Sequence, residues 1–186
     1  MVPYQIHTIG SAPERSKPLL HKLQTSVGMI PNLAATMAES PELLKGFLQI
    51  REILYGGTFT PGEVQVLALT NAFENACAYC MAFHSTLALK EGVSPETVAA
   101  LRAGAPPAAE ARLGVLSDFS RKLVQKRGAV SDADLATFLA AGFTRDQALE
   151  VVLGVAVSIL PNFAHHITQC PIDDAFYAQA WEQPAA

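Results

Sequence analysis

The sequence is short of charge, of cysteine and of aromatic side chains. Of 186 residues, 16% are charged and 50% hydrophobic, with three cysteines and one tryptophan. So little charge leaves apolar surface to cover, and an interface between copies of the chain would cover it. The formal net charge is −4 and there is no basic block, which argues against nucleic acid and anionic membrane surfaces as partners. The stretch MVPYQIHTIGSAPERSKPLL has no charged region leading into an apolar run, so it does not read as a secretory signal. The longest uncharged apolar run, Val151 to Leu160, is too short to span a bilayer. A soluble, cytoplasmic protein is expected, with no membrane partner. Glycine-rich phosphate loops, Rossmann fingerprints and serine nucleophile elbows are also missing, so no nucleotide, nicotinamide or flavin cofactor is expected. An odd count of three cysteines does not make a disulfide scaffold.

What is present is helical periodicity, and no segment shows sustained strand alternation. A short helix is expected within 11–28, ending at Gly28. Pro31 and Pro41 sit where helices begin, the second capped by Ser40 and running to Tyr55 before Gly56 and Gly57. Thr60-Pro61-Gly62-Glu63 is a capping box that opens a helix with a wide apolar arc, hence a buried one. Asn75 is expected to cap the next helix, which ends near Gly92. Ser94-Pro95-Glu96 opens another, and Ala105 to Ala109 reads as a linker. A helix over 110–127 follows, with Arg121, Lys122, Lys126 and Arg127 placed favourably for its C-terminus. Ser131 and Thr144 open two more. The stretch 59–80 echoes 143–164, each beginning Phe-Thr and continuing into an apolar helix, which reads either as a helix-pair repeat or as convergence of two buried helices. The expected architecture is all-α, a single domain over 1–186.

The chemistry sits in CAYCMAFH, 77–84. On a helix, Cys77, Cys80 and His84 share one face. Residues three apart have Cα atoms roughly 5 Å apart, which a disulfide accepts, so the pair can cycle without unfolding. A helix N-terminus favours a thiolate, most strongly at Cys77, and His84 lies one turn beyond Cys80 as a base. Two thiols and a base are the minimum for reducing a peroxide through a sulfenic acid and a disulfide. Other readings stay open: a zinc site that borrows His165, His166 or Cys170 as a fourth ligand, or two cysteines that simply pack a core. A c-type haem is excluded because position 81 is Met.

ENACAYCMAFH, preceded by TPGEVQVLALTNAF, resembles the alkylhydroperoxidase D-like group of the carboxymuconolactone decarboxylase superfamily. QALEVVLGVAVSILPNFAHHITQCPIDDAF is similar to that family's C-terminal half, and MIPNLAATMAESPELLKGF to its N-terminal helices. The resemblance implies an AhpD-like helical bundle, assembled as a trimer or hexamer. It also implies antioxidant peroxidase chemistry on a small hydroperoxide, with an external thiol reductant or reductase regenerating the pair and no metal. It makes Cys80 the peroxidatic thiol, Cys77 the resolving one and His84 part of a proton relay, although the helix dipole favours Cys77 as the more acidic thiol. Two positions depart from the family. Gln65 stands where its peroxidases have a glutamate, with Glu63 and Glu74 near but not at that position, and Tyr79 stands where they have a histidine. The alternatives are a lactone enzyme of aromatic catabolism, as in the decarboxylase branch, or a non-enzymatic redox-sensing or binding protein.

Elsewhere, His7 and His21 are expected to be exposed or capping, Cys170 incidental and Trp181 a packing anchor. One of His165 and His166 is placed to approach the site in the repeat reading, and a helix-end role is the plainer alternative.

Overall fold

Side-chain caps set where the helices begin. Ser40, Thr60, Ser94, Ser131 and Thr144 each accept the backbone N–H three residues on, satisfying a donor that a helix start otherwise leaves unpaired. Thr60 with Glu63, Ser131 with Asp134 and Thr144 with Gln147 complete reciprocal capping boxes. The structure is a computed structural model that describes residues 4–184. The helices are α1 (Lys17–Val27), α2 (Asn32–Met37), α3 (Pro41–Tyr55), α4 (Pro61–Glu74), α5 (Ala78–Lys90), α6 (Pro95–Arg102), α7 (Ala111–Gln125), α8 (Asp132–Ala140) and α9 (Arg145–Thr168), followed by a 3-10 turn, Asp174–Gln179. There are no strands among the described residues, so the fold is all-α.

Helix α4 is the centre, buried from Glu63 to Ala72 and packed between α5, α7 and α9. The approach of α9 is close: a Cβ at Gly154 would stand 3.1 Å from Leu67 Cδ1. Toward α7 the contact is polar. Thr70 and Ser117 share a hydrogen bond of 2.8 Å, and Asn71 Nδ2 donates to Ser120 Oγ at 3.2 Å. Buried hydroxyls and amides carry a desolvation cost when unpaired, so these bonds fix the register of α4 on α7.

Helix α9 is long and apolar enough, by length and composition, to cross a membrane. In this fold it lies along α3, α4 and α7. Its outer side leaves Leu149, Val152, Phe163 and Ile167 exposed, at 73%, 51%, 51% and 59%. These recur at helical spacing and make an apolar stripe.

Three local expectations are corrected. The first helix begins at Lys17 rather than near Ser11. The preceding turn is held by His7, which is buried rather than exposed. Its ring contacts the Ser11 carbonyl at 3.1 Å and the Glu39 carboxylate at 2.7 Å. Asn75 caps the end of α4, not the start of α5. Of the two echoing stretches, 143–164 enters one uninterrupted helix, while 59–80 is broken between α4 and α5. Trp181 packs on Phe73, with its indole N–H donated to the Arg102 carbonyl at 2.9 Å.

Candidate active site

The break between α4 and α5 makes the site. Ala76 adopts φ 51°, a left-handed conformation that costs a non-glycine residue about 1 kcal/mol. The turn lets Cys77 N–H donate back to the Ala72 carbonyl at 2.9 Å. Cys77 is then extended and becomes the N-cap of α5, its Sγ accepting the Cys80 N–H at 3.3 Å. A serine or asparagine would commonly fill this role; here a thiol does. Cys77 therefore precedes the helical face expected to carry all three residues.

This placement separates the two thiols chemically. A hydrogen bond from the Cys80 side chain, opposed by burial and reinforced by His165 and the Cys80 N–H, brings the Cys77 thiol down to about 5. Burial, followed by the neighbouring Cys77, pushes Cys80 well above its ordinary value. Any negative charge on the pair is thus favoured on Cys77, at the helix N-terminus, over Cys80.

Cys80 faces a cavity and Cys77 lies behind it. The cavity has about 850 Å³ of empty space, counting its mouth, and Cys80, His84 and Tyr79 of α5 line it. Leu33, Met37, Phe47, Leu54, Leu67 and Val157 are among its apolar walls. His84 lies among them with Nδ1 at 2.8 Å from Gln65 Oε1. The Gln65 amide donates its own N–H groups to Tyr55 Oη at 2.9 Å and Glu91 Oε1 at 3.3 Å. A carboxylate only accepts, so Glu91 fixes which way the amide points. Oε1 is left to accept from His84 Nδ1–H, and Nε2 of the ring carries no proton. Loss of water around the ring, with the Arg51 guanidinium nearby, holds His84 neutral, down to about 3. Gln65 thus joins His84 to a carboxylate, but by an amide that does not itself exchange protons as a carboxylate does.

The other acids near this position are engaged elsewhere. Glu63 completes its capping box and pairs with Arg112; Glu74 pairs with Arg121 at 2.8 Å. Glu91 is the carboxylate that sequence reasoning missed. It is exposed as the C-cap residue of α5, where a glutamate reads as ordinary surface.

Tyr79 directs its hydroxyl at Asp173 and the start of α2. It donates to Asp173 and accepts the Leu33 N–H at 3.3 Å, while Asp173 also accepts the Asn32 N–H at 3.1 Å. Burial and the Asp173 carboxylate raise the phenol above its ordinary value. Tyr79 thereby ties α5 to the start of α2.

His165 supplies an imidazole from the other side. Its ring lies 5.6 Å from that of Tyr79 and beside Cys77, where it favours the thiolate. Its buried Nδ1 has no conventional hydrogen-bond partner among the described residues. His166 turns the other way, with Nε2 at 2.6 Å from the Asn75 carbonyl. Asn162, one turn before on α9, is buried, accepts from Asn75 Nδ2 at 2.9 Å and lies beside Cys80. Cys170 is buried too, its thiol pushed up to about 11 chiefly by burial. No three His, Cys, Asp or Glu side chains converge as metal ligands among the described residues. The three cysteines stand as free thiols.

Residues 41–115 match the model of the carboxymuconolactone decarboxylase family. No curated protein matches the sequence. In fold, the chain is similar to the alkylhydroperoxidase AhpD core of a peroxidase-related protein from Ralstonia eutropha JMP134 (TM-score 0.81, 22% identity, 95% of this chain and 94% of that one). It is also similar to a peroxidase-related protein from Silicibacter sp. TM1040 (0.79, 18%, 96% and 98%). A third likeness is to the debrominase Bmp8 C82A in complex with 2,3,4-tribromopyrrole (0.75, 17%, 95% and 94%).

Proposed function

Because the chain belongs to the alkylhydroperoxidase D-like/carboxymuconolactone decarboxylase superfamily, we propose that it is a thiol-dependent peroxidase that reduces an organic hydroperoxide through Cys77 and Cys80. One observation carries this reading. A buried pair of cysteines sits at a helix N-terminus, Cys77 Sγ accepting the Cys80 N–H, and its Cys80 member lines an apolar cavity.

The arrangement supports a balanced cycle. Cys80 Sγ attacks the terminal oxygen of ROOH, the O–O bond breaks, and the Cys80 proton passes to the Cys77 thiolate. Cys77 gives that proton to the departing alkoxide, which leaves as ROH. The Cys77 thiolate then attacks the Cys80 sulfenic acid. Hydroxide leaves, takes a proton from solvent as water, and the disulfide closes. Two electrons move from the thiols to the peroxide, and an external thiol reductant returns them. A reducing cytoplasm suits such a cycle. Cys77 here is both proton acceptor and resolving thiol, with His165 steadying its charge.

The apolar stripe on α9 supports self-association, and the occupant we propose is a second copy of the chain. A homotrimer or homohexamer is the assembly we favour. The stripe has two exposed pairs on one side of α9, Leu149 with Val152 and Phe163 with Ile167.

The debrominase likeness favours a second use of the same thiols. The dithiol would supply two electrons for reductive loss of a halogen from an apolar heterocycle, releasing halide and a hydrogen-bearing product. Both readings need Cys80. Hydroperoxide consumption that survives Cys80→Ser overturns the first, and halide release from a bromopyrrole in place of hydroperoxide consumption would favour the second. Turnover of a lactone in the Cys77→Ser, Cys80→Ser double variant would indicate the decarboxylase-type reaction, which does not need the pair.

A further inference from the structure

The cavity beside Cys80 is apolar on almost every side, yet one permanent charge opens onto it. Arg51, on α3, lines the cavity together with Cys80 and His84. The other half-buried arginines are matched: Arg121 to Glu74 and Arg102 to the Gln179 and Ala180 carbonyls. Arg51 has no carboxylate or carbonyl partner among the described residues. The adjacent Glu52 is taken by Lys22 at 2.7 Å. What Arg51 does have is the Tyr55 ring, 4.3 Å beneath its Cζ. That contact offsets part of the cost of holding a half-buried cation, but leaves the guanidinium fork unfilled.

Tyr55 adds a second unfilled donor. Its Oη accepts the Gln65 N–H at 2.9 Å, and its own proton has no acceptor among the described residues. Tyr55 lines the same cavity. Two hydrogen-bond donors, one of them cationic, therefore meet at one side of an apolar chamber whose reactive thiol is elsewhere on the wall.

We propose that Arg51 and Tyr55 form an anion-recognition site, and that the cavity takes an amphiphilic organic monocarboxylate, its carboxylate on these two side chains and its apolar body along the walls. The planar fork of a guanidinium matches a carboxylate in two parallel hydrogen bonds. One guanidinium balances one negative charge; a dianion would leave charge uncompensated among Leu, Met and Phe side chains. The proposal deepens the peroxidase reading and rests on it for one point only, that the bound acid carries its hydroperoxide to Cys80.

The test is calorimetric titration of the reduced full-length protein with octanoate, methyl octanoate and 1-octanol. The wild type is expected to bind octanoate roughly 10-fold or more tightly than the ester, since hydrogen bonds to charged groups are the strong ones. Arg51→Met should weaken octanoate by roughly 10- to 100-fold while leaving 1-octanol unchanged. Arg51→Lys should restore part of the loss, and Tyr55→Phe should weaken octanoate alone by a few-fold. The proposal is overturned if acid and ester bind the wild type equally, if octanoate does not bind, or if Arg51→Met weakens all three ligands alike. The same titration on the Cys77→Ser, Cys80→Ser double variant should leave octanoate binding intact, because the anion site does not use the thiols. A wild type that binds octanoate and consumes no hydroperoxide overturns the peroxidase reading alone. One that consumes hydroperoxide without preferring the acid overturns this proposal alone.

Discussion

Cys77 caps helix α5 with its sulfur, accepting the backbone N–H of Cys80 at 3.3 Å. The bond aims the helix N-terminus at one thiol of the pair while the other faces the cavity. Charge and access are thereby divided between two residues. In the reduced protein, one cysteine is expected to titrate near 5, followed by its ultraviolet thiolate absorbance, and Cys77→Ser should remove that step. The sign of the linked stability follows. A thiol held below its ordinary value adds stability that is complete above pH 9 and is lost as pH falls through 5. Reduced wild type should gain on Cys77→Ser across that window. Equal slopes would place the charge elsewhere.

His165 should matter to that titration and His166 should not. His165→Gln is expected to move the Cys77 step upward, because it removes the imidazole that favours the thiolate. His166→Ala breaks one bond to the Asn75 carbonyl, at a stability cost of about 1 kcal/mol and with the thiol unmoved. The two variants are compared in one absorbance titration.

Gln65→Glu tests the link between His84 and Glu91. A carboxylate at 65 would give His84 an ion-pair partner and raise its ring from about 3 toward neutrality. It would also set two carboxylates against each other, since Gln65 Nε2 and Glu91 Oε1 are 3.3 Å apart. The single variant should lose roughly 1–3 kcal/mol of stability, which Glu91→Gln should largely restore. Hydroperoxide turnover is expected to rise most in the double variant. Unchanged turnover in both would mean that proton transfer does not depend on position 65.

His84 should also leave a mark on acid stability. Its neutral ring is favoured in the fold, so a proton taken up in the unfolded chain at 6.5 is resisted in the native state down to about 3. Stability is thus complete above 6.5 and falls as pH drops toward 3. Urea melts of wild type and His84→Gln should diverge by roughly 3 kcal/mol between pH 6.5 and pH 4.

The α9 stripe gives a prediction on assembly. Leu149→Glu with Phe163→Glu should yield a monomer in sedimentation velocity at micromolar concentration, while the wild type sediments as a larger species. A monomeric wild type would remove the self-association proposal.

Much of this fold is legible in the sequence because its helix starts are local. Ser40, Thr60, Ser94, Ser131 and Thr144 each precede their helix by one residue, and each caps it. The buried character of α4 follows from its wide apolar arc. The site is less legible because it is made by convergence. Arg51 and Tyr55, Glu91, and His165 lie on three separate stretches of the chain, each bland by itself, and only the packing of α3, α5 and α9 around α4 brings them together. The burial of His7 is illegible for the same reason, its partner Glu39 lying beyond two intervening helices. The cap at Cys77 was hidden by its neighbour: Asn75 is a better capping residue by type, but the left-handed turn at Ala76 moves the helix start past it.

The measurement that bears most directly on the central claim is a thiol titre with intact mass under denaturing conditions, before and after one equivalent of an organic hydroperoxide. The account predicts that two of the three thiols disappear with the loss of two hydrogens, that Cys170 stays free, and that neither Cys77→Ser nor Cys80→Ser forms the disulfide. Retention of all three thiols after exposure would contradict it.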